Sequence, residues 1–445
     1  MREIAIAGAG LVGSMLSVFL AKRGYKVTLF ERRADFRKSG AYGGRSINLA
    51  LSSRGLRALA LLGLDGKLRE NAIPMFGRRI HPITGEEGYM PYGKEGQCIY
   101  SVSRSALNQV VLDAAEAAGV EVFFNAKIQQ VDLKETQMQV SVEGGPTRVI
   151  KPDYLVGSDG AYSAIRSAFL QSDRFNFSQE YIEHGYKELS IPSTAAGQFQ
   201  LKSDSLHIWP RESFMMIALP NPDGTFTCTL FFPFEGAPSF GSLKNDQEVY
   251  SFFEKTFPDA LALMPNMLDE FRENPSSSLV TVRCFPWVKN RTVLIGDAAH
   301  AIVPFYGQGM NAGFEDCRVF NELLDLFNDD WEKVLPEFQK LRKPNADSVA
   351  RLALDNFIEM RDLVSDPQFQ LQKKIEARIH ELYPHLWTPL YSMVTFSDGV
   401  SYSDAYHTGQ RQKEIMSKVL SQPEIARNWE KLDFFSIAQQ LNSTH

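Results

Sequence analysis

The sequence predicts an α/β protein in which a Rossmann-like domain of the GxGxxG type is interleaved with an antiparallel β-sheet domain and followed by a C-terminal helical region. Three observations predict this architecture. The chain opens with a strand, a glycine-rich turn, a helix and a second strand, and similar strand-end motifs recur far along the chain. Between them lies a stretch rich in aromatic and β-branched residues, which is typical of antiparallel sheets.

The opening segment carries the first of these patterns. Residues 4–7 form an apolar run typical of a buried strand, and residues 11–20 have the apolar spacing of a helix. Residues 27–30 predict a second strand, parallel to the first. This order of elements is the start of a nucleotide-binding βαβ unit.

Three glycines form the turn between the first strand and the helix. Gly8 permits the tight turn, Gly10 lets the backbone approach a pyrophosphate, and Gly13 allows the helix to pack closely on the strand. Glu31, at the end of the second strand, is placed to accept hydrogen bonds from ribose hydroxyls and to disfavour a 2′-phosphate. The segment therefore predicts a dinucleotide whose phosphates lie at the helix N-terminus.

Composition excludes several classes of function. A chain of 445 residues is expected to form two or three modules. The formal net charge of −6 argues against a surface for nucleic acid or anionic membranes. Four scattered cysteines without a CxxC pair predict neither a zinc site nor a disulfide framework, and no apolar run is long enough to cross a bilayer. A cytoplasmic protein without a bound metal, acting on a small molecule, is therefore expected.

Patterns further along the chain extend the first domain. Residues 103–119 predict an amphipathic helix, residues 120–124 a strand, and residues 129–149 a small β-meander. Residues 154–166 repeat the order of strand, loop and helix, and residues 293–311 repeat it again before a helix that continues to residue 326. The nucleotide-binding domain is therefore predicted to be discontinuous.

The remaining segments predict the other two modules. Strands within residues 198–233, joined by the turn PNPDG, predict the antiparallel sheet. Helical periodicity dominates from residue 331 to the C-terminus and is broken at residues 391–404. The predicted boundaries are 1–75, 98–180 and 280–330 for the nucleotide-binding domain, 76–97 and 181–279 for the sheet domain, and 331–445 for the helical region, which is expected to contribute to the active site.

Two further strand ends carry acidic residues that point to the same cofactor. Asp297, after Gly296, is placed to accept a hydrogen bond from a polyol hydroxyl, or simply to cap the helix that follows, and Asp159, in Ser158–Gly160, lies at a strand end that could converge on the same cofactor. Residues 307–313 open a helix whose N–H groups can stabilise an anion, and a reduced flavin ring is such an anion. His300, which has no evident partner, is interpreted as structural.

These motifs resemble those of the class A flavoprotein aromatic hydroxylases. That family combines GxGxxG, Asp-Gly and Gly-Asp motifs around one FAD in a glutathione reductase-like domain and has no separate nicotinamide domain. The segments GRSINLALS, HGYKEL, SLHIWP, VPFYGQGMN and YSMVTFS resemble, more narrowly, the family members that act on L-kynurenine. The resemblance covers nearly the whole chain.

The resemblance implies a set of site residues. The cofactor-binding residues would be Gly8, Gly10, Gly13, Glu31, Arg45, Arg104, Asp159, Asp297, Gly309, Met310 and Asn311. The substrate-binding residues would be Arg78 for a carboxylate, Tyr92 and Tyr402 as hydroxyl donors, Asn356, and Phe231 and Phe305 as ring-packing residues. A guanidinium with aromatic walls suits an amino acid that bears an aromatic ring.

Several of these positions have a simpler alternative. Arg78 is followed by Arg79, and an arginine is more often a solvated surface charge. Phe231 and Phe232 lie on opposite faces of one strand, so their roles depend on the register. The length of the loop before Tyr402 leaves its position less certain than that of Tyr92.

The resemblance also implies an activity. NADPH, as a transient co-substrate, would reduce tightly bound FAD, oxygen would form a flavin hydroperoxide, and this would hydroxylate the ring of L-kynurenine ortho to the amine, giving 3-hydroxy-L-kynurenine for tryptophan catabolism and NAD biosynthesis. The cofactor carries the chemistry, so no catalytic side chain is expected. The alternatives are a related hydroxylase of a benzoate or phenol, a flavin-binding protein without turnover, and a membrane-associated reductase. A homodimer is compatible with the sequence.

Overall fold

The computed structural model describes residues 2–39, 48–83, 86–364, 366–397 and 399–442. The predicted cofactor residue Arg45 lies outside this range. Within it, apolar runs form strands and amphipathic segments form helices, as the sequence patterns predict.

The strands are numbered here in chain order. They are β1 Glu3–Ala7, β2 Lys26–Phe30, β3 Asn48–Leu51, β4 Ile73–Met75, β5 Gly77–Ile80, β6 Gly88–Pro91, β7 Ile99–Ser103, β8 Glu121–Phe123, β9 Ala126–Asp132, β10 Gln137–Val142, β11 Arg148–Ile150, β12 Tyr154–Gly157, β13 Asn176–Ile191, β14 Ser205–Arg211, β15 Phe214–Pro220, β16 Phe226–Pro233, β17 Ser277–Phe285, β18 Val288–Lys289 and β19 Thr292–Leu294.

The helices are numbered in the same way. They are α1 Leu11–Lys22, α2 Phe36–Ser39, α3 Ser53–Leu62, α4 Asp65–Arg69, α5 Arg104–Ala117, α6 Ala164–Phe169, α7 Asp246–Thr256, α8 Pro258–Leu261, α9 Met267–Glu273, α10 Asp297–His300, α11 Gly309–Leu326, α12 Trp331–Ile358, α13 Pro367–Leu382, α14 Leu390–Thr395, α15 Tyr402–Leu420, α16 Ile425–Asn428 and α17 Phe434–Asn442. Short 3₁₀ turns occupy Pro304–Tyr306 and Trp429–Lys431, and a π-helical segment occupies Glu359–Leu363.

The first sheet is the predicted nucleotide-binding sheet. Its strand order is β18-β19-β12-β1-β2-β8, and all neighbours except β18 and β19 pair in parallel. Residues far apart in sequence therefore meet at the carboxyl ends of β1, β12 and β19, where ligands bind in open parallel sheets. The prediction of a discontinuous Rossmann-like fold is confirmed.

Two small antiparallel sheets accompany it. β9, β10 and β11 form the predicted meander, while β3, β7 and β4 form a second three-stranded sheet. In this second sheet, β3 lies beside the large sheet, where Asn48 donates to the carbonyl of Pro220. β3 is followed directly by α3.

The large sheet has the order β17-β13-β16-β15-β14-β5-β6. Its pairs are antiparallel except β14 and β5, which are parallel and are joined by no hairpin. Strand alternation places Ile208 and Phe231 in a core shared with the C-terminal helices, and Trp209 and Phe232 in a second core under α7–α9. The register thus places Phe231, and not Phe232, towards the first sheet.

The C-terminal region is helical, as predicted, but the predicted break at residues 391–404 is too long. α14 occupies Leu390–Thr395, and α15 begins at Tyr402. Apolar residues of this segment pack into the core shared with the large sheet, so tertiary packing favours the helix. In the described part of the chain, every helix is too short or too polar to cross a membrane.

Candidate active site

A cavity of about 490 Å³ lies between the parallel sheet and the large sheet. One part, called here the nucleotide end, is lined by Gly8, Gly10, Glu31, Arg104, Asp159, Asp297, Gly309 and Met310. The other part, called the arginine end, is lined by Arg78, Tyr92, Met215, Ile217, Leu219, Phe231, Phe305, Tyr306, Met360 and Tyr391. One cavity therefore brings together most of the predicted cofactor and substrate residues.

The glycine turn shapes the nucleotide end. Gly8 has φ +95°, and a Cβ there would stand 2.7 Å from the carbonyl oxygen of Ser158. A Cβ at Gly13 would stand 2.0 Å from the carbonyl oxygen of Gly8, so Gly13 lets α1 pack on the turn and does not line the cavity. Around Gly10, in contrast, there is nothing within 4 Å of an added Cβ. The turn is thus tight at two glycines and leaves space at the one expected to face a pyrophosphate.

Glu31 lines the cavity and also braces the glycine turn. One carboxylate oxygen accepts a hydrogen bond from the backbone N–H of Ala9 at 3.1 Å, and the other accepts from the N–H of Arg33 at 3.0 Å. Glu31 is 7% exposed. The sequence predicts the contact of Glu31 with a ribose and the exclusion of a 2′-phosphate, but it does not predict this bracing contact.

The two other acidic residues of the nucleotide end differ in their surroundings. Asp159 accepts hydrogen bonds from the hydroxyl of Ser163 at 2.5 Å and from the N–H of Ala164 at 2.6 Å, so it caps α6 as well as lining the cavity. Burial raises the pKa of Asp159. Asp297 is exposed and lines the cavity at the first turn of α10. Its carboxylate is therefore the freer acceptor for a hydroxyl.

The N-terminus of α11 completes this end. Gly309 and Met310 line the cavity, and the N–H groups of a first helical turn have no intrahelical acceptors. Asn311 instead accepts from the N–H of Ser52 at 2.9 Å and donates to the carbonyl of Ala50 at 2.8 Å. Asn311 therefore fixes β3 against α11 and does not line the cavity.

The arginine end is centred on Arg78, which β5 carries to the cavity face of the large sheet. Its guanidinium lies 4.9 Å from the ring centre of Tyr391 and 5.6 Å from that of Tyr92, and 3.4 Å separates it from the carboxylate of Glu359. Burial opposes the charge, but the tyrosines and Glu359 outweigh it and raise the pKa of Arg78. Arg78 is only 7% exposed, so the interpretation as a solvated surface charge is wrong.

Two polar atoms at this end are buried without partners. Within the described residues, the Nε of Arg78 and the hydroxyl of Tyr92 have no hydrogen-bond partner in good geometry, although the Tyr92 hydroxyl lies near Arg78 and Tyr391. Tyr92 stacks on Tyr391 with ring centres 4.9 Å apart. Burial raises the pKa of Tyr92 well above its usual value, so its hydroxyl stays protonated and can donate. A buried polar group without a partner calls for an explanation, and a ligand bound at this end of the cavity would supply the partner.

Apolar side chains form the walls between the two ends. The rings of Phe231 and Phe305 are 4.9 Å apart, and Phe305 stacks on Phe357 at 4.1 Å. Met215 and Ile217, from β15, line the same space. An aromatic ring held here would be enclosed by apolar surface next to the nucleotide end.

Two predicted substrate residues do not line the cavity. Tyr402 is fully buried, and its hydroxyl donates to the Oε1 of Gln308 at 2.9 Å. Asn356 donates to the carbonyl of Phe305 at 2.7 Å. Tyr391, which the prediction omitted, lines the cavity instead. The signal was present, because Tyr391 begins the segment YSMVTFS on which the resemblance rests.

A buried charge network joins the two ends. Arg342 donates to Glu315 at 2.7 Å and to Asp316 at 2.6 Å, and Asp316 also accepts from His300 at 2.6 Å. Burial raises the pKa of Asp316, but the charges of His300 and Arg342 outweigh it and hold the pKa below the usual value. The structural interpretation of His300 agrees with this contact, since its ring is engaged away from the cavity.

Arg54 extends the network to the C-terminal helices. It donates to Glu315 at 2.7 Å, to the carbonyl of Val394 at 2.7 Å and to that of Val400 at 2.6 Å. The helix that carries Tyr391 is thereby tied to α3 and α11 of the nucleotide-binding domain.

Known proteins are similar to this chain in sequence and in fold. Residues 1–352 match the family described as FAD binding domain. The chain is 49% identical over 432 residues to a kynurenine 3-monooxygenase of Christiangramia forsetii, covering 96% of each chain. It is 45% identical over 427 residues to that of Sus scrofa, covering 94% of this chain and 88% of the other.

Solved structures agree at the level of the fold. A tetrameric form of 2-methyl-3-hydroxypyridine-5-carboxylic acid oxygenase superposes with a TM-score of 0.67 at 20% identity, covering 85% of this chain and 98% of the other. PqsL of Pseudomonas aeruginosa superposes with a TM-score of 0.66 at 19% identity, covering 81% and 97%. On the sequence matches, the chain belongs to the kynurenine 3-monooxygenase family of FAD-dependent aromatic monooxygenases.

Proposed function

We propose that the protein uses FAD, NADPH and O₂ to hydroxylate L-kynurenine to 3-hydroxy-L-kynurenine, and that Arg78 binds the substrate carboxylate. The observation that carries the proposal is the arginine end of the cavity. A buried guanidinium with an unpartnered Nε lies beside the unpartnered hydroxyl of Tyr92. A carboxylate there would accept charge-assisted hydrogen bonds from Arg78 and a further one from Tyr92.

The proposal gives Tyr391 a place beside these two residues. Its ring stacks on Tyr92 and lies against the Arg78 guanidinium, so it holds both groups in position. Glu359 lies 3.4 Å from the Arg78 guanidinium and 3.9 Å from the Nζ of Lys373, so its charge is paired with these two cations, and it does not line the cavity. A benzoate also carries a carboxylate, so the substrate panel below distinguishes it from the amino acid.

The aromatic walls would orient the substrate ring. Phe231, Phe305 and Met215 enclose the space between the arginine end and the nucleotide end, so a ring tethered by its carboxylate would face the cofactor. The same walls exclude water, which would otherwise divert the activated oxygen to peroxide. The amine of kynurenine already activates the ring, so the reaction requires no strong base from the protein.

The nucleotide end would hold FAD. The turn at Gly8 and Gly10 and the N-termini of α1 and α11 suit its phosphates and flavin, while Glu31 and Asp297 suit its hydroxyls. Bound FAD, reduced by NADPH, supplies activated oxygen for the ring. Glu31 disfavours the 2′-phosphate of NADPH, so NADPH would bind transiently at another surface of the protein.

The test follows NADPH oxidation, oxygen uptake and chromatographic product together on the FAD-loaded protein. We expect L-kynurenine to accelerate NADPH oxidation and 3-hydroxy-L-kynurenine to accumulate, with any excess NADPH use measuring peroxide release. Acceleration by a benzoate or phenol instead would assign another hydroxylase. If no substrate of the panel accelerates NADPH oxidation, the protein binds a flavin without turnover.

The domain boundaries and the roles of the site residues stay predictions, and so do two further expectations from the sequence, namely a cytoplasmic location and a homodimer. All four cysteines carry free thiols, which suits a reducing compartment. Fractionation of the source cells tests the location. Sedimentation of the FAD-loaded protein at several concentrations tests the homodimer.

A further inference from the structure

Two histidines and a carboxylate meet on the face of the large sheet that is turned away from the cavity. His81 follows β5, His207 lies in β14, and Glu87 precedes β6. The Nε2 of His81 is 2.8 Å from the Nδ1 of His207, and 4.0 Å separates it from Glu87. One ligand atom from each of the three residues lies within 4.8 Å of the other two. Strand pairing, not sequence spacing, brings them together.

The hydrogen bonds around the cluster determine which ring nitrogens carry hydrogen. The Nε2 of His207 lies 2.8 Å from the carbonyl oxygen of Lys202, which can only accept, so this nitrogen donates. Because this nitrogen carries the hydrogen, the Nδ1 of a neutral His207 ring presents a lone pair. The Nδ1 of His81 lies 3.1 Å from a carboxylate oxygen of Asp259, which can only accept. The two remaining nitrogens therefore face one another.

This arrangement matches that of metal-binding histidines. Such histidines donate their second ring N–H to a carboxylate or a backbone carbonyl, which fixes the ring and raises its basicity. Asp259 and Lys202 are these two kinds of partner. Asp259 also accepts from the indole N–H of Trp209 at 2.8 Å, and the ring of His81 stacks on Trp209 at 4.2 Å. The rings are thus held before any ion arrives.

Charge and access also favour a cation. Glu87, Asp204 and Asp259 bring three carboxylates to the cluster, and two arginines oppose them. Arg79 lies 2.5 Å from one oxygen of Glu87 and 3.7 Å from Asp204. The buried Arg211 donates to the backbone carbonyl of His81 at 2.9 Å. The second oxygen of Glu87 is the one turned towards His81. The Glu87 side chain is 38% exposed, so an ion can enter from solvent.

We propose that His81, His207 and Glu87 bind a Zn²⁺ ion, with a solvent molecule as the fourth ligand. Two imidazole nitrogens and one carboxylate are a donor set that zinc takes when three protein ligands hold it. The ion would take the place of the 2.8 Å hydrogen bond between the two rings, and any proton on the facing nitrogens would pass to solvent. Binding would therefore weaken as pH falls. The ion would also join β5 to β14 across the parallel pair, on the strand that carries Arg78.

The experiment uses the untagged, FAD-loaded protein after removal of metals with EDTA. Zinc is titrated by calorimetry at neutral pH, and Tm is measured with and without zinc. We expect one zinc per chain and a higher Tm. Cobalt, as a spectroscopic substitute, should give the absorption of a tetrahedral site at wavelengths longer than those at which flavin absorbs.

Variants locate the site. Asp259→Asn should weaken zinc affinity by roughly 10- to 100-fold because the His81 ring loses its carboxylate partner. Glu87→Gln and His81→Gln should weaken it further, since each removes a ligand. Glu86→Gln is the matched control, because Glu86 is the adjacent exposed acid and lies outside the cluster. Its affinity should equal that of the unmodified chain.

Two results would overturn the proposal. One is the lack of a one-to-one zinc complex in the unmodified protein, and the other is zinc affinity that Glu87→Gln leaves unchanged, which would place the ion elsewhere. If His81→Gln does not fold, the zinc affinity of Glu87→Gln still tests the proposal, because Glu87 is exposed and its substitution should not prevent folding. The readout is metal affinity, so it is independent of whether the hydroxylation described above occurs.

Discussion

The nucleotide end and the arginine end of the cavity are built in different ways. At the nucleotide end, backbone turns and helix N-termini form much of the cavity lining. Gly8, Gly10 and Glu31 belong to one short segment of chain. At the arginine end, side chains converge from β5, from the loop after β6, from the 3₁₀ turn and from α14. Local sequence therefore specifies each motif of the first end, and the parallel pairing of β1, β12 and β19 brings the motifs together, whereas the second end has no local motif and depends on tertiary packing alone.

The difference also appears in how polar groups are satisfied. Glu31 and Asp159 already accept hydrogen bonds from backbone groups of their own domain. Arg78 and Tyr92 retain buried atoms without partners. The acidic groups of the nucleotide end are thus hydrogen-bonded without a ligand. At the arginine end, a bound ligand would supply the missing hydrogen-bond partners. The following substitutions test this contrast.

The largest effect is expected where the two ends are joined. Asp316→Asn should lower the free energy of unfolding at pH 7 by about 3–5 kcal/mol, because an amide would direct a donor at groups that all donate to Asp316. Denaturant unfolding measures this. Glu322→Gln, an exposed acid on the same helix, is the control and should stay within about 0.5 kcal/mol. Equal losses in both variants would contradict a joining role.

The same residue predicts how stability depends on pH. The folded pKa of Asp316 lies below its usual value, so its contribution is complete above a pH of about 4 and is lost as pH falls through the lower folded pKa. Unfolding measured between neutral and acidic pH should therefore show a steeper acid loss in the unmodified chain than in Asp316→Asn. Parallel profiles would show that Asp316 does not carry this dependence.

The next effect separates substrate binding from cofactor binding. Arg78→Ala should raise the Kd for L-kynurenine by roughly 10- to 150-fold, since a charge-assisted pair contributes about 1.5–3 kcal/mol. Its FAD content should not change. Arg79→Ala is the matched control, because Arg79 is the next residue of β5 and its side chain contacts Glu87 and Asp204 outside the cavity. Loss of FAD in Arg78→Ala, or equal weakening in both variants, would break the division into two ends.

The nucleotide end could be predicted from the sequence more completely than the arginine end. Gly8, Gly13 and Glu31 could be interpreted from spacing alone, because a strand, a turn and a helix place them relative to one another. No local rule places α14 against β5, so the sequence favoured Tyr402 over Tyr391. The bracing role of Glu31 and the network through Arg342 were also missed, since both depend on contacts between elements whose approach is not encoded locally.

A smaller effect distinguishes two glycines of one turn. Gly13→Ala should destabilise the fold by about 1–3 kcal/mol, because its Cβ would stand 2.0 Å from the carbonyl oxygen of Gly8. Gly10→Ala should leave Tm of the apoprotein unchanged and lower FAD affinity, since its Cβ meets nothing within 4 Å and would occupy cofactor space. Thermal unfolding and flavin content measure the two quantities. Destabilised Gly10→Ala apoprotein would contradict the assignment of that space to the cofactor.

The smallest expected effect on binding shows whether Tyr391 or Tyr402 contacts the substrate. Tyr391→Phe removes a hydroxyl beside Arg78 and should raise KM for L-kynurenine by roughly 2- to 10-fold, the equivalent of about 0.5–1.5 kcal/mol, without lowering Tm. Tyr402→Phe should instead lower stability by about 1 kcal/mol and leave KM unchanged, because its hydroxyl donates to Gln308 outside the cavity lining. Steady-state kinetics and thermal unfolding of both variants check the pair. The opposite result, with KM raised in Tyr402→Phe alone, would restore the sequence-based prediction and show that the arginine end rearranges when substrate binds.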